Sequence, residues 1–197
     1  MSVANKATSA TSLVALATIA ALAIVPGQSK AADPGAGHAG LVLEGAFEGG
    51  GDNIARIYYF NGDTQNLRAG QGGTVSVGAH YRPDASPWDF IATVGYKLIR
   101  TSDYRSDLGI DRIVVKFVGA YSLGHGMWVD VGPVWHTDVR LNGDGFVPDI
   151  KFDDGLGATI GVGWRWIGVT YTNMHYRSAV IGSVDASNAG VIFTWKF

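Results

Sequence analysis

The sequence predicts an all-β protein: an eight-stranded antiparallel up-and-down transmembrane β-barrel behind a signal peptide, with ten strands as the alternative count. Three observations predict it. Hydrophobicity after residue 38 alternates with period two, the alternating segments recur at about ten residues, and the connections between them alternate between short and long.

The chain of 197 residues has room for one domain. A net charge of −2 supplies no basic field for nucleic acid and no strongly acidic one for a basic partner. With 47% hydrophobic residues the chain has apolar surface to bury, unlike a disordered one. Its 28 glycines argue against helices, where each costs roughly 1 kcal/mol against alanine. There are no cysteines, so no disulfide framework holds the fold.

Residues 1–31 read as a signal peptide. Lys6 precedes the apolar run Leu13 to Val25, which is too short to span a bilayer as a helix. Pro26 and Gly27 break the run, and Ser29-Lys30-Ala31 places small residues for cleavage after Ala31. Residues 32–38 form a short N-terminal segment, and 39–197 form the barrel. No later stretch is long and apolar enough for a membrane helix, so membrane crossing falls to strands.

The strands are expected at 39–48, 72–82, 88–100, 110–122, 126–138, 154–165, 167–178 and 185–197. In the third, Trp88, Phe90, Ala92, Val94, Tyr96 and Leu98 share one face, against Asp89, Ile91, Thr93, Gly95 and Lys97. Phe117 and Val131 fall on the corresponding apolar faces of the fourth and fifth. Short turns are expected at Pro83–Pro87, at Gly124–Gly126 and around Trp166. Longer, mostly polar connections are expected at 49–71, 101–109, 139–153 and 179–184, which puts one rim in the periplasm and the other outside. Within the first of these, Ile54–Phe60 and Thr64–Leu67 flank Asn61-Gly62-Asp63 as a hairpin would, either above the membrane or as two further membrane strands.

The second face of each strand decides between a soluble sandwich and a membrane barrel. Glycine and threonine crowd it, as a tight bore requires and an aqueous surface does not. Glu44, Asp89, Lys97, Lys116, Asp130, Arg165 and Lys196 are the expected bore charges, nearly balanced in sign. Lys116 and Asp130 are placed to sit diagonally across one strand pair. A salt-bridged plug and a selective pore are the two readings of this set; eight strands leave room for little but side chains. Tyr81, Trp88, Tyr121, Trp164, Trp166, Trp195 and Phe197 gather toward the short-turn rim as a membrane girdle, and Phe47, Tyr96, Trp135, Tyr171 and Tyr176 toward the other.

The chain ends Val191-Ile192-Phe193-Thr194-Trp195-Lys196-Phe197, with Val191, Phe193, Trp195 and Phe197 alternating toward a terminal aromatic. This resembles the signal by which outer-membrane barrels are recognised by the assembly machinery that inserts them. The usual glycine of that signal is replaced here by Ile192, with Gly190 two residues earlier. With the leader and the strand pattern, the mature chain is similar to the small eight-stranded outer-membrane proteins of the OmpA/OmpX/opacity-protein kind. That resemblance implies a Gram-negative outer-membrane location. Its implied partners are outer-membrane lipid, lipopolysaccharide and the barrel assembly machinery; it leaves oligomeric state and loop ligands open.

Some barrels of this kind are lipid A-modifying enzymes. Here His175, Ser178, Asp185 and Ser187 cluster, but His175 and Ser178 are three apart, which period two sends to opposite faces. The acidic loop Asn142-Gly143-Asp144-Gly145 with Asp149, Asp153 and Asp154 matches no EF-hand spacing. Gly70-Gln71-Gly72-Gly73 lacks the Lys-Ser/Thr of a phosphate loop, and His38, His80, His125 and His136 are too dispersed for a metal site. No catalytic residue, metal or cofactor is assigned. The expected function is a non-enzymatic barrel whose exposed loops serve envelope integrity or surface interaction. The alternatives are a narrow channel for small or apolar solutes and a lipid A hydrolase using His175.

Overall fold

A computed structural model describes residues 37–58, 64–103, 106–143 and 148–197; the expected leader lies outside them. The alternating segments form strands β1 (His38–Gly49), β4 (Gly72–Arg82), β5 (Trp88–Asp103), β6 (Ser106–Gly124), β7 (Met127–Asn142), β9 (Gly155–Trp164), β10 (Ile167–Asn173) and β13 (Asn188–Lys196). Between them lie β2 (Asn53–Tyr58), β3 (Thr64–Arg68), β8 (Ile150–Lys151), β11 (His175–Ser178) and β12 (Gly182–Asp185).

Each of the eight long strands pairs antiparallel with its chain neighbours, through β1–β4–β5–β6–β7–β9–β10–β13. Val42↔Lys196 to Gly49↔Ala189 then joins β13 back to β1. The sheet is closed, which removes the unpaired edges that a bilayer cannot hydrate. β2 and β3 pair only with each other, so the barrel has eight strands and the ten-strand alternative is discarded. β8 adds two residues beside β7 above the barrel, and β11–β12 form a second separate hairpin.

Period two now acquires a direction. Phe90, Phe117 and Val131 face outward, with Val131 56% exposed, while Asp89, Thr93, Val118 and Asp130 on the opposite faces are buried. Leu41, Leu43, Val75, Val77, Val115, Leu156, Ile160, Val162 and Val169 complete an apolar outer wall. In water such a wall would be a large unburied patch; in a bilayer it meets acyl chains.

All three tight turns sit at one rim, together with the chain end at Phe197. Ala85, His125 and Arg165 occupy these turns with φ of 53°, 53° and 54°, the left-handed conformation that tight hairpin turns demand. At the other rim the expected loops shorten. β5 runs to Asp103 and β6 begins at Ser106, so most of 101–109 is paired strand rather than loop.

Those strand extensions close over the bore. Leu67, Ala69, Leu108, Ile110, Val139, Leu141, Phe152, Met174, Tyr176, Val184 and Ala186 form a buried apolar cluster at this end. Tyr176, expected among the outer-rim aromatics, is instead fully buried in it. Asp52 N–H donates to the Asp185 carbonyl at 2.8 Å, and Asp185 N–H returns a bond to the Asp52 carboxylate at 2.9 Å. The first and last outer hairpins are thereby laced together.

Candidate functional site

Four levels of side chains fill the bore. At the short-turn mouth, the Asp89 carboxylate receives Lys196 Nζ at 2.8 Å and Arg82 at 3.2 Å, with His80 Nδ1 at 3.0 Å. Lys196 comes from β13 and Asp89 from β5, strands that are not neighbours, so this bond crosses the bore. One level up, Lys116 Nζ on β6 lies 2.8 Å from Glu44 on β1, again across the barrel. Thr93 and Thr194 hydroxyls donate to the same carboxylate at 3.2 and 3.3 Å, so Glu44 is tied from several sides. Above a cavity of about 50 Å³, Lys97 meets Glu48 at 2.6 Å and Thr74 donates to Glu48 at 3.1 Å.

The fourth level belongs to Arg112. Its guanidinium is buried and donates to the carbonyls of Ala69 at 2.8 Å and Gln71 at 2.7 Å, which pins the base of the first outer hairpin to the barrel wall. The same group lies 5.9 Å from the Tyr176 ring centre, and Tyr176 hydrogen-bonds His136. Burial pushes the Tyr176 phenol up to about 12, so it stays protonated at any physiological pH. On the outer hairpin, the Ser187 hydroxyl and N–H hold the Asp185 carboxyl below its usual range.

Six of the seven expected bore charges face the interior: Glu44, Asp89, Lys97, Lys116, Asp130 and Lys196. Arg165 does not. It lies in the β9–β10 turn, exposed, its guanidinium 4.5 Å over the Trp164 ring, because the tight turn ends the strand one residue earlier. The expected Lys116–Asp130 diagonal pair is also replaced: Lys116 reaches across to Glu44. The Asp130 carboxylate instead overlies Gly161, where a Cβ would stand 2.5 Å from Oδ1.

Sequence reasoning missed Glu48, Arg82 and Arg112, and gave His80, His136 and Tyr176 no place in the bore or its cap. The signal was present for most of them: Glu48 shares a face with Glu44, Arg112 with Lys116, and His80 and Arg82 with Ser76.

The girdle residues take their places on the outside. Tyr81, Trp88, Trp164, Trp195 and Phe197 are exposed at the short-turn rim and Tyr121 is half-buried. Trp88 meets Tyr121 edge-on at 5.1 Å, and Trp166, Phe193 and Trp195 stack at 5.8 to 6.3 Å. Of the proposed assembly signal, Val191, Trp195 and Phe197 are exposed and Phe193 is half-buried on the same lipid-facing side.

A closed eight-stranded wall, apolar outside, charged inside and ringed by aromatics, decides the class. The fold is that of a small outer-membrane β-barrel. No protein-family model matches the chain, and no curated protein sequence does. Among solved structures it is similar to the attachment invasion locus protein Ail of Yersinia pestis. The likeness to Ail is at 10% identity and TM-score 0.44, covering 81% of this chain and 99% of that one. Ail in complex with the heparin analogue sucrose octasulfate gives 8% identity and TM-score 0.43 over 81% and 99%. Neisserial surface protein A gives 13% and 0.43 over 81% and 97%. At these identities the likeness concerns architecture alone.

The chemical candidates do not assemble. His175 is exposed and Ser178 buried, on opposite faces of β11, so this pair does not form a nucleophile and its base. Among the described residues no three His, Cys, Asp or Glu side chains gather as a metal site. Part of the acidic loop, including Asp144, lies outside them.

Proposed function

We propose that the protein is a closed, non-conducting barrel that acts through its surfaces, supporting envelope integrity and contacting the environment through its outer hairpins. The observation that carries this reading is the blocked bore: ion pairs cross it at two levels, and an apolar core seals its outer end. Planar-bilayer recording tests it. Wild-type protein gives no steady conductance; a stable ohmic conductance overturns the reading in favour of a narrow channel, for which the cavity of about 50 Å³ beside Glu44 is the supporting feature.

Lipopolysaccharide is the proposed outer-leaflet partner. Arg140 and Lys151 stand directly opposite one another on β7 and β8, both exposed, and Arg100 is exposed on β5. Asp138 already meets Arg140 at 2.6 Å and Asp111 lies 3.7 Å from Arg100, so anionic headgroups around the outer rim would add to these partners and meet Lys151. Expression should leave lipid A acylation unchanged, and a His175-dependent change in acyl chains would restore the hydrolase alternative.

A further inference from the structure

The outer end of the bore concentrates buried positive charge. Lys97 on β5 and Arg112 on β6 stand directly opposite one another in register, both pointing inward and each 1% exposed. Like charges facing across a strand pair repel, and burial removes the water that would screen them. Among the described residues, Glu48 of β1 supplies the one carboxylate bonded to either, 2.6 Å from Lys97 Nζ. Arg112 is satisfied by the Ala69 and Gln71 carbonyls, which carry no full charge.

His136 of β7 completes the cluster. It occupies the outermost rung of the β7–β9 pair, opposite Gly155 and one residue beyond Trp135, and is 3% exposed. Its Nδ1 bonds the phenol of Tyr176 on β11, which packs against Phe152 and lies under Arg112. The missing side chain at Gly155 admits this phenol ring, from which a Cβ would stand 2.9 Å. One imidazole thus joins the barrel wall to the outer hairpin β11–β12, inside the apolar cap.

The charged and titratable groups around it are Lys97, Arg112, Glu48 and Tyr176. Glu44 and Lys116, bonded to each other, sit lower in the shared cavity, and Asp138 on β7 itself is turned to Arg140. β4, β9, β10 and β13 bring only hydroxyl and apolar side chains to that cavity. A proton on His136 would therefore make a third cation around one carboxylate, in a site closed to bulk water. Burial, then Arg112 and Lys97, hold its ionisation well below the usual histidine value of 6.5.

We propose that His136 is an acid-sensitive latch: a proton taken up there releases the β11–β12 hairpin and loosens the cap over the bore. The closed cap binds fewer protons than the opened one. Its stability is therefore complete above pH 6.5 and is lost as pH falls toward the folded-state value. With His136 titrating at 6.5 when open and neutral when closed, opening gains about 30-fold between pH 7.5 and 5. Asp185, whose N–H laces this hairpin to Asp52, ionises below the usual carboxylate range and stays charged throughout that interval. The crossing ion pairs of Glu44 and Asp89 lie deeper, so the latch acts on the outer surface whether or not the barrel conducts.

Hydrogen exchange of the full chain in phospholipid vesicles, corrected for the intrinsic pH dependence of exchange, tests this at residues 174–187. Protection there falls about 30-fold between pH 7.5 and 5, while residues 88–96 of β5 keep theirs. His136→Gln, whose amide still accepts the Tyr176 hydroxyl and carries no charge, abolishes the change. His175→Gln, at the exposed histidine opposite Asp185 on the same hairpin, retains it. Heat-modifiable gel migration verifies that each variant is folded. Should His136→Gln not fold, imidazole NMR of the wild type carries the test, with the His136 ring neutral in the closed cap at pH 5.5. Protection indifferent to acid, a change that survives in His136→Gln or disappears in His175→Gln, or an imidazolium at His136 in the closed cap each overturns the proposal.

Discussion

The Glu44–Lys116 pair offers the sharpest energetic test of the filled bore. Its side chains are 6% and 12% exposed and meet at 2.8 Å between strands that do not touch, so both charges lie largely out of bulk water. Removing one partner of such a pair leaves a lone buried charge, at a cost of about 3–5 kcal/mol. Lys116→Met strands Glu44, which keeps only the Thr93 and Thr194 hydroxyls; Glu44→Gln strands Lys116. Each single variant is expected to lose about that much stability. The double variant leaves no lone charge and should lose less than either single, a coupling energy of at least about 3 kcal/mol. Urea titration in phospholipid vesicles, read by the gel shift between folded and unfolded forms, supplies the three differences. Losses that add to within about 0.5 kcal/mol would refute the cross-bore bond.

Other consequences follow from the same geometry. Arg112→Met orphans the Ala69 and Gln71 carbonyls and should loosen the first outer hairpin, read as faster proteolysis at residues 53–71 with the barrel intact. Tyr176 ionises at about 12 in the fold against 10.0 in the open chain, so the protonated form favours the folded state. That contribution is complete below pH 10 and is lost as pH rises toward 12, about 2–3 kcal/mol in all. Tyr176→Phe should flatten the stability curve across that window, and an unchanged slope counts against the buried phenol. Gly163→Val drives a side chain into the Trp128 indole and should cost about 1–3 kcal/mol; pairing it with Trp128→Ala should recover part of the loss, measured by the same urea titration.

Most of the barrel was legible because lipid and bore impose opposite demands on successive residues, and that alternation survives from β1 to β13. What stayed hidden was above the membrane. Along β7, odd residues such as Val131 and Trp135 face out, yet above the register shift Val139 and Leu141 face in. Asp138, with φ of 53°, is the bulged residue that resets the phase, and nothing in the local sequence announces it. The apolar cap was therefore unreadable from periodicity, and Tyr176 was misplaced among the rim aromatics. Charge partners were hidden for a different reason. Periodicity assigns a face but not a distance across the bore, so Lys116 was matched to nearby Asp130 rather than to Glu44, which is 72 residues away in the chain. Arg165 shared the bore-facing phase and failed only because the tight turn begins at it.

The whole account turns on which side of the wall meets hydrocarbon, and a native chain without cysteine makes that directly measurable. Single cysteines at Val131 and Phe117, and at Thr93 and Thr159, would carry nitroxide labels in lipid vesicles for power-saturation with dissolved oxygen and a water-soluble nickel chelate. High oxygen and negligible nickel accessibility at Val131 and Phe117, with both low at Thr93 and Thr159, is the expected pattern. Nickel accessibility at Val131 and Phe117 as high as that of a label at the exposed outer-hairpin tip, Val180, would contradict it.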